Sequence, residues 1–129
     1  MSRRKGASAE REAANLIRDL TGWECKRRVR QHGNDSDLLG VPGWSIEVKR
    51  YATATRSQIE GWWMQAVEQA EGQIPVLLYR KDRDEWRAVW PISVHLTHQT
   101  AEMWTDYRWT CEGTVDAWAA VAREVSREG

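Results

Sequence analysis

Residues 37–49 read D-L-L-G-V-P-G-W-S-I-E-V-K, and they leave a chain of this length few folds to choose from. The last six alternate: Trp44, Ile46 and Val48 point one way and Ser45, Glu47 and Lys49 the other, the pattern of a strand with one packed face. Pro42-Gly43 supplies turn chemistry, proline fixing φ at its position and glycine accepting a positive φ at the next, so the segment carrying Asp37 folds back toward Glu47. Such a hairpin gathers two carboxylates and an ammonium at one point. Two hard oxygen ligands with open coordination positions suit Mg²⁺, with Mn²⁺ as a substitute, because Mg²⁺ keeps several waters and takes few protein carboxylates. Lys49 could then hold an attacking water or stabilise charge developing on a phosphoryl group. The bland alternative is a solvated strand face bearing an ordinary ion pair, and the flanking sequence has to decide between them.

A chain of 129 residues is expected to form one domain, with a sheet, covering helices and a single core. Its zero net charge conceals an asymmetry: residues 1–56 carry twelve Lys/Arg against seven Asp/Glu, and residues 57–129 carry seven against twelve. The first part is therefore the one suited to a polyanion. Its cations cluster as Arg3, Arg4 and Lys5, as Lys26, Arg27 and Arg28 with Arg30, and as Lys49 and Arg50 with Arg56. Three runs bracketing one acidic site point to phosphate contact, with a solvated surface as the alternative.

No apolar run is long enough for a membrane span, and the basic start is not followed by the apolar stretch of a signal peptide, so no membrane partner and a cytoplasmic protein are expected. Cys25 and Cys111 have neither zinc-site nor disulfide-framework spacing and read as reduced packing residues. Nine tryptophans and no phenylalanine place large indoles in the packing, and whether some of them stack on bases stays open.

Along the chain, Ser8 is suited to cap a helix in which Ala13, Leu16, Ile17 and Leu20 form the apolar stripe, ending at Gly22, with Glu10 and Glu12 in its first turn. Residues 23–30 read as a thinly apolar strand, 31–36 as a loop, and 37–41 and 44–50 as two central strands. Ser57 with Glu60 forms a capping-box pattern ahead of a second helix that carries Ile59, Trp62, Trp63, Ala66 and Ala70. The apolar run at 75–80 and the segment 86–90 read as a strand pair. The expected class is thus α/β, in the order α-β-β-β-α-β-β, with a mixed sheet of about five strands because the second helix acts as a crossover. Beyond Pro91 the pattern is weaker until Thr114 caps a last helix with Val115, Trp118, Ala119, Ala122 and Val125 on one stripe. His95 and His98 read as surface residues rather than ligands.

The Asp, turn, Glu-x-Lys pattern resembles the PD-(D/E)XK nuclease superfamily, whose restriction-endonuclease-like core matches the element order just given. More specifically, R-K-G-A-S-A-E-R-E at residues 4–12, the Asp37 and Glu47-Val48-Lys49 site, and I-P-V-L-L at 74–78 followed by a tryptophan-bearing strand are similar to the archaeal Holliday junction resolvases and their phage relatives. The resemblance spans about residues 3–90, leaving 91–129 as a C-terminal extension packed on a nuclease core. It implies a Mg²⁺-dependent, structure-selective DNA endonuclease that acts as a homodimer on four-way junctions in DNA recombination. It also implies that Asp37 and Glu47 bind the metal, that Lys49 positions the hydrolytic water, and that Glu10 joins them through a metal-bound water or by orienting the nucleophile. Glu10 and Glu12 point roughly 200° apart on a helix, so only one of them is expected to face the sheet. The chain departs from the family in its loop: H-G-N-D-S at 32–36 replaces a glycine-serine loop, and Asp35 there is a rival to Asp37 for the metal. Two other readings compete. One is a nuclease of this fold cutting linear or nicked duplex or flaps; the other is a non-catalytic DNA-binding module, for which acids placed where phosphates approach would be a handicap.

Overall fold

The computed structural model describes residues 2–29 and 36–128, with side chains for 6–29 and 36–126. Expectations for Asp35, Arg30, and the side chains of Arg3, Arg4 and Lys5 therefore fall outside the described residues. The chain runs as α1 (Ser2–Thr21), β1 (Lys26–Arg27), β2 (Leu38–Leu39), β3 (Trp44–Tyr51), α2 (Arg56–Gln69), β4 (Ile74–Lys81), β5 (Arg87–Pro91), β6 (Thr110–Thr114) and α3 (Val115–Glu128), with three short 3₁₀ turns between β5 and β6.

The mixed α/β class and the element order through β5 follow the sequence pattern. The main sheet has four strands in the order β3-β4-β5-β6, with β3 and β4 parallel and the remaining pairs antiparallel. Helix α2 makes the crossover that parallel pairing requires. The two strands expected ahead of β3 form a separate antiparallel ribbon, β1-β2, of two residues each. This ribbon is tied to the edge of β3 by the Asp37 N–H, which donates to the Ile46 carbonyl at 2.9 Å. Only a short stretch pairs because Lys26, Arg27 and Arg28 offer little apolar area to hold a longer strand.

Two helix starts differ from expectation. Helix α1 begins at Ser2, so Ser8 lies inside it and Glu10 and Glu12 sit in its third turn. For α2 the cap is Thr55 rather than Ser57: its hydroxyl accepts from the Gln58 N–H at 3.2 Å, and the Gln58 side chain accepts from the Thr55 N–H at 2.8 Å. Thr-x-x-Gln satisfies the reciprocal geometry as well as Ser-x-x-Glu does, and it starts two residues earlier in the sequence.

The sheet is covered on both faces. On one side Trp44, Ile46, Val48, Val76, Leu78, Ala88 and Trp90 meet Ala9, Ala13, Ala14 and Ile17 of α1 and Val115, Trp118, Ala119 and Ala122 of α3. On the other, Leu77, Tyr79 and Val89 meet Ile59, Trp63 and Ala66 of α2. The C-terminal segment is thus built into the core: Trp118 is fully buried and packs edge-on against Trp44, with ring centroids 5.5 Å apart and planes at 89°. Strand β6 has no counterpart in the sequence pattern, since T-C-E-G-T carries no alternating apolar signal and its pairing comes from β5 alone. Replacing the Trp118 indole by alanine is expected to lower stability by about 3–5 kcal/mol, checked by urea denaturation, because the cavity would lie between α1, α3 and β3.

Candidate active site

Three devices place Asp37 against β3. The turn at Pro42 and Gly43, with Gly43 at φ +83°, closes on a Trp44 N–H to Val41 carbonyl bond of 3.3 Å. Gly40, at φ +96°, lies so close to the backbone of Glu24 and Cys25 that a β-carbon would sit 2.4 Å from the Glu24 carbonyl oxygen. Finally, the Val48 N–H donates to Asp37 Oδ2 at 2.7 Å. An edge-strand N–H that would otherwise lack a ladder partner therefore holds the carboxylate in place.

Glu47 projects to the α2 side of β3, and that face is roofed, so the residue is only 3% exposed where a half-buried strand would leave it open. Lys49 Nζ stands 3.4 Å from Glu47 Oε2 on the same face. Burial is the largest influence on the Glu47 carboxyl and the Asp37 charge the next; against the opposing pull of Lys49 they push its pKa up to about 8. Glu10 also raises it, but least of these groups.

Glu10 is buried on α1 and its Oε1 accepts from Arg27 Nε of β1 at 3.2 Å, which ties the helix to the ribbon. Asp37, Glu47 and Lys49 are therefore brought together, and Glu10 stands behind them as a partner of Arg27. Among the described residues no three His, Cys, Asp or Glu side chains are disposed to form a metal cage. The donor set of Asp37 and Glu47 nevertheless fits a divalent cation. It is all hard oxygen, and the burial and, next, the Asp37 charge that raise the Glu47 pKa are penalties on negative charge that a cation would relieve.

Glu12 is not idle, contrary to the expectation that only one of the two helix acids would face the sheet. Its Oε1 accepts from Trp86 Nε1 at 2.6 Å and is ion-paired with Arg80, whose Nε lies 3.0 Å away, and its Oε2 lies 3.7 Å from Arg50. Arg50 is also 3.5 Å from Asp82. Long arginine side chains of the sheet reach the helix where Cβ direction alone suggested no contact.

The remaining predicted DNA contacts divide. Lys26 and Arg56 are exposed. Arg28 is drawn inward, Nε donating to the Ser36 carbonyl at 2.9 Å, as Arg27 is to Glu10. Cys25 is buried, which pushes its thiol up to about 11, and both cysteines are free thiols, as packing residues should be.

Residues 1–116 match the family described as "Phage putative PDDEXK endonuclease". The chain belongs to this family and is thus a nuclease of the PD-(D/E)XK class. Among individual proteins it is similar to Protein D14 of Escherichia phage T5, with 28% identity over 108 residues, covering 66% of this chain and 68% of that protein. It also resembles the solved structure of Hjc, a Holliday junction resolvase from the archaeal hyperthermophile Archaeoglobus fulgidus. That likeness has a TM-score of 0.48 at 18% identity and covers 93% of this chain and 88% of the other.

The Glu47 pKa makes a prediction about pH. Between the ordinary value of 4.5 and about 8, the folded protein holds a proton that the unfolded chain has released. That contribution to stability is complete below the ordinary value and is lost as pH rises through about 8. The melting temperature of metal-free protein should therefore fall across this window, and Glu47→Gln should flatten the fall. A divalent cation held by Asp37 and Glu47 would raise the melting temperature more at the alkaline end than at the acid end, since its binding would displace the proton.

Proposed function

We propose that this protein is a divalent-metal-dependent DNA endonuclease, using Mg²⁺ with Mn²⁺ as a substitute, that hydrolyses phosphodiester bonds in four-way junctions. The observation that carries the nuclease chemistry is the meeting of Asp37, Glu47 and Lys49 at the edge of β3. Asp37 and Glu47 would hold the cation, which supplies Lewis-acid activation of water and neutralises phosphate charge. Lys49 orients the nucleophile or steadies charge on the phosphoryl oxygens. Glu10, fixed by Arg27, acts from behind through water. Phosphate contacts come from Lys26 and Arg56, with Arg3, Arg4, Lys5 and Arg30 contributing from the basic first part of the chain.

Preference for a junction is supported by the sequence resemblance over about residues 3–90, and a homodimer would set two such sites at a fixed separation. Exposed Met64 on α2, and Val29 and Leu39 beside the ribbon, are apolar surface that a second copy would cover. No helix among the described residues is long and apolar enough to cross a membrane, and the proposed place of action is the cytoplasm. A second reading, a nuclease for linear or nicked duplex or flaps, is favoured by one observation. Arg27, Arg28 and Arg50 are engaged within the protein, which thins the basic surface for gripping a branch.

Asp37→Asn and Glu47→Gln are each expected to abolish Mg²⁺-dependent cleavage while leaving DNA binding intact or tighter, as repulsion of phosphate is removed. Near wild-type cutting by either would displace the site. Lys49→Ala should slow single-turnover cleavage by about 10²–10³-fold with little change in affinity. For the substrate, the test is a homodimer by sedimentation that binds a four-way junction at least roughly tenfold more tightly than linear duplex at about 0.15 M salt. A monomer, or equal affinity for the two DNAs, would leave the second reading.

A further inference from the structure

Beyond Lys49, the site face of β3 continues to Tyr51, the strand's last residue. Residues two apart share a strand face and stand about 7 Å apart, so Tyr51 is the next group along from the lysine. Its ring lies flat on Trp62 of α2, with centroids 5.2 Å apart and planes 15° from parallel. Trp62 in turn leans on Tyr79 of β4 at 6.0 Å and 45°, and packs against the core beneath α2. Tyr51 itself is 39% exposed although it is a large aromatic residue. A ring backed by Trp62 and partly open to solvent can serve as a preformed stacking surface, and its orientation costs little further entropy on binding. The charges around it suit a nucleotide strand. Lys81 is the register partner of Tyr51 on β4, and its contact with Asp84, at 3.8 Å between exposed groups, restrains it little. Arg56 is exposed at the start of α2.

We infer that Tyr51, braced by Trp62, is a base-stacking platform that takes an unpaired nucleobase of the strand whose phosphate faces Lys49. The inference rests on the nuclease reading and narrows its substrate. A base inside a continuous duplex is already stacked on both faces, so only a nucleotide at a branch, flap or strand end can offer its π-face to the tyrosine. The platform thereby gives one subunit a means of preferring interrupted DNA, before any second subunit is considered. Stacking depends on the ring and not on the hydroxyl or the base identity, so the preference is for structure rather than sequence.

The test uses full-length protein and two DNAs of equal length: a branched DNA with an unpaired 2-aminopurine at the branch, and a continuous, fully paired duplex. Wild type should cut both in Mg²⁺ and quench the 2-aminopurine on binding. Tyr51→Leu, which keeps apolar bulk, should lose the quench and about tenfold in affinity for the branched DNA while cutting the paired duplex at the wild-type rate. Tyr51→Phe should behave as wild type on both. Wild-type behaviour of Tyr51→Leu on the branched DNA would overturn the platform. So would equal losses on the two DNAs, which mean that the ring merely packs beside Lys49. Failure of wild type to cut either DNA is a different result, and it would remove the nuclease reading together with the platform.

Discussion

The burial of the Glu47 carboxyl on a strand packed from both sides is the constraint around which the rest is arranged. A carboxylate taken out of water costs several kcal/mol unless it is compensated. Here the compensation comes from Lys49 at 3.4 Å, while Asp37 adds a second negative charge that works against it. A fold selected for stability alone would place an apolar residue at position 47, as it does at Leu77 and Val89, its register neighbours on β4 and β5. The unresolved electrostatic tension is confined to the edge of β3, where the β1-β2 ribbon replaces a full neighbouring strand and leaves room for something outside the sheet to approach. Pairing on that side is limited to short contacts such as the Asp37 N–H to Ile46 bond.

The basic residues divide between binding and holding the protein together. Arg27 joins β1 to α1 through Glu10, Arg28 fixes the ribbon to the Ser36 backbone, and Arg50 and Arg80 converge on Glu12 beside the Trp86 indole. Arginine is suited to this because its planar fork makes several directional bonds while its stem covers apolar surface. The outcome is that α1, which carries Glu10, is bolted to the ribbon on one side and to the β4-β5 hairpin on the other. Charge counted along the chain overstated the cationic surface, since a guanidinium bonded to an internal carboxylate adds little field outside.

The tryptophans act similarly as struts. Trp63 donates to the Thr105 carbonyl at 2.7 Å, Trp86 to Glu12 at 2.6 Å, Trp90 to His95 at 2.9 Å and Trp104 to Gln99 at 2.7 Å. Three of these bonds fasten the irregular segment between β5 and β6. A chain without phenylalanine gains directional bonds from its aromatic packing that benzyl side chains could not make.

The sequence by itself determined the local elements with a clear period. Alternation from Trp44 to Lys49, the Pro42-Gly43 turn, the stripe of α3 and the apolar run of β4 are nearest-neighbour patterns, and each appears where the spacing placed it. The closeness of Asp37, Glu47 and Lys49 was legible for the same reason, because a tight turn brings residues ten apart to one point whatever the rest of the chain does. The cap of α2 was shifted because Thr55 and Ser57, two residues apart, offer equivalent capping hydroxyls. Only the tertiary structure decided the rest. It roofed Glu47 with α2, turned Arg27, Arg28 and Arg50 inward, engaged Glu12, and recruited residues 110–114 as a fourth strand. These outcomes depend on which surfaces meet across distances of tens of residues, and neither periodicity nor composition carries that information, because long side chains choose their partners only after the backbone has brought those partners within reach.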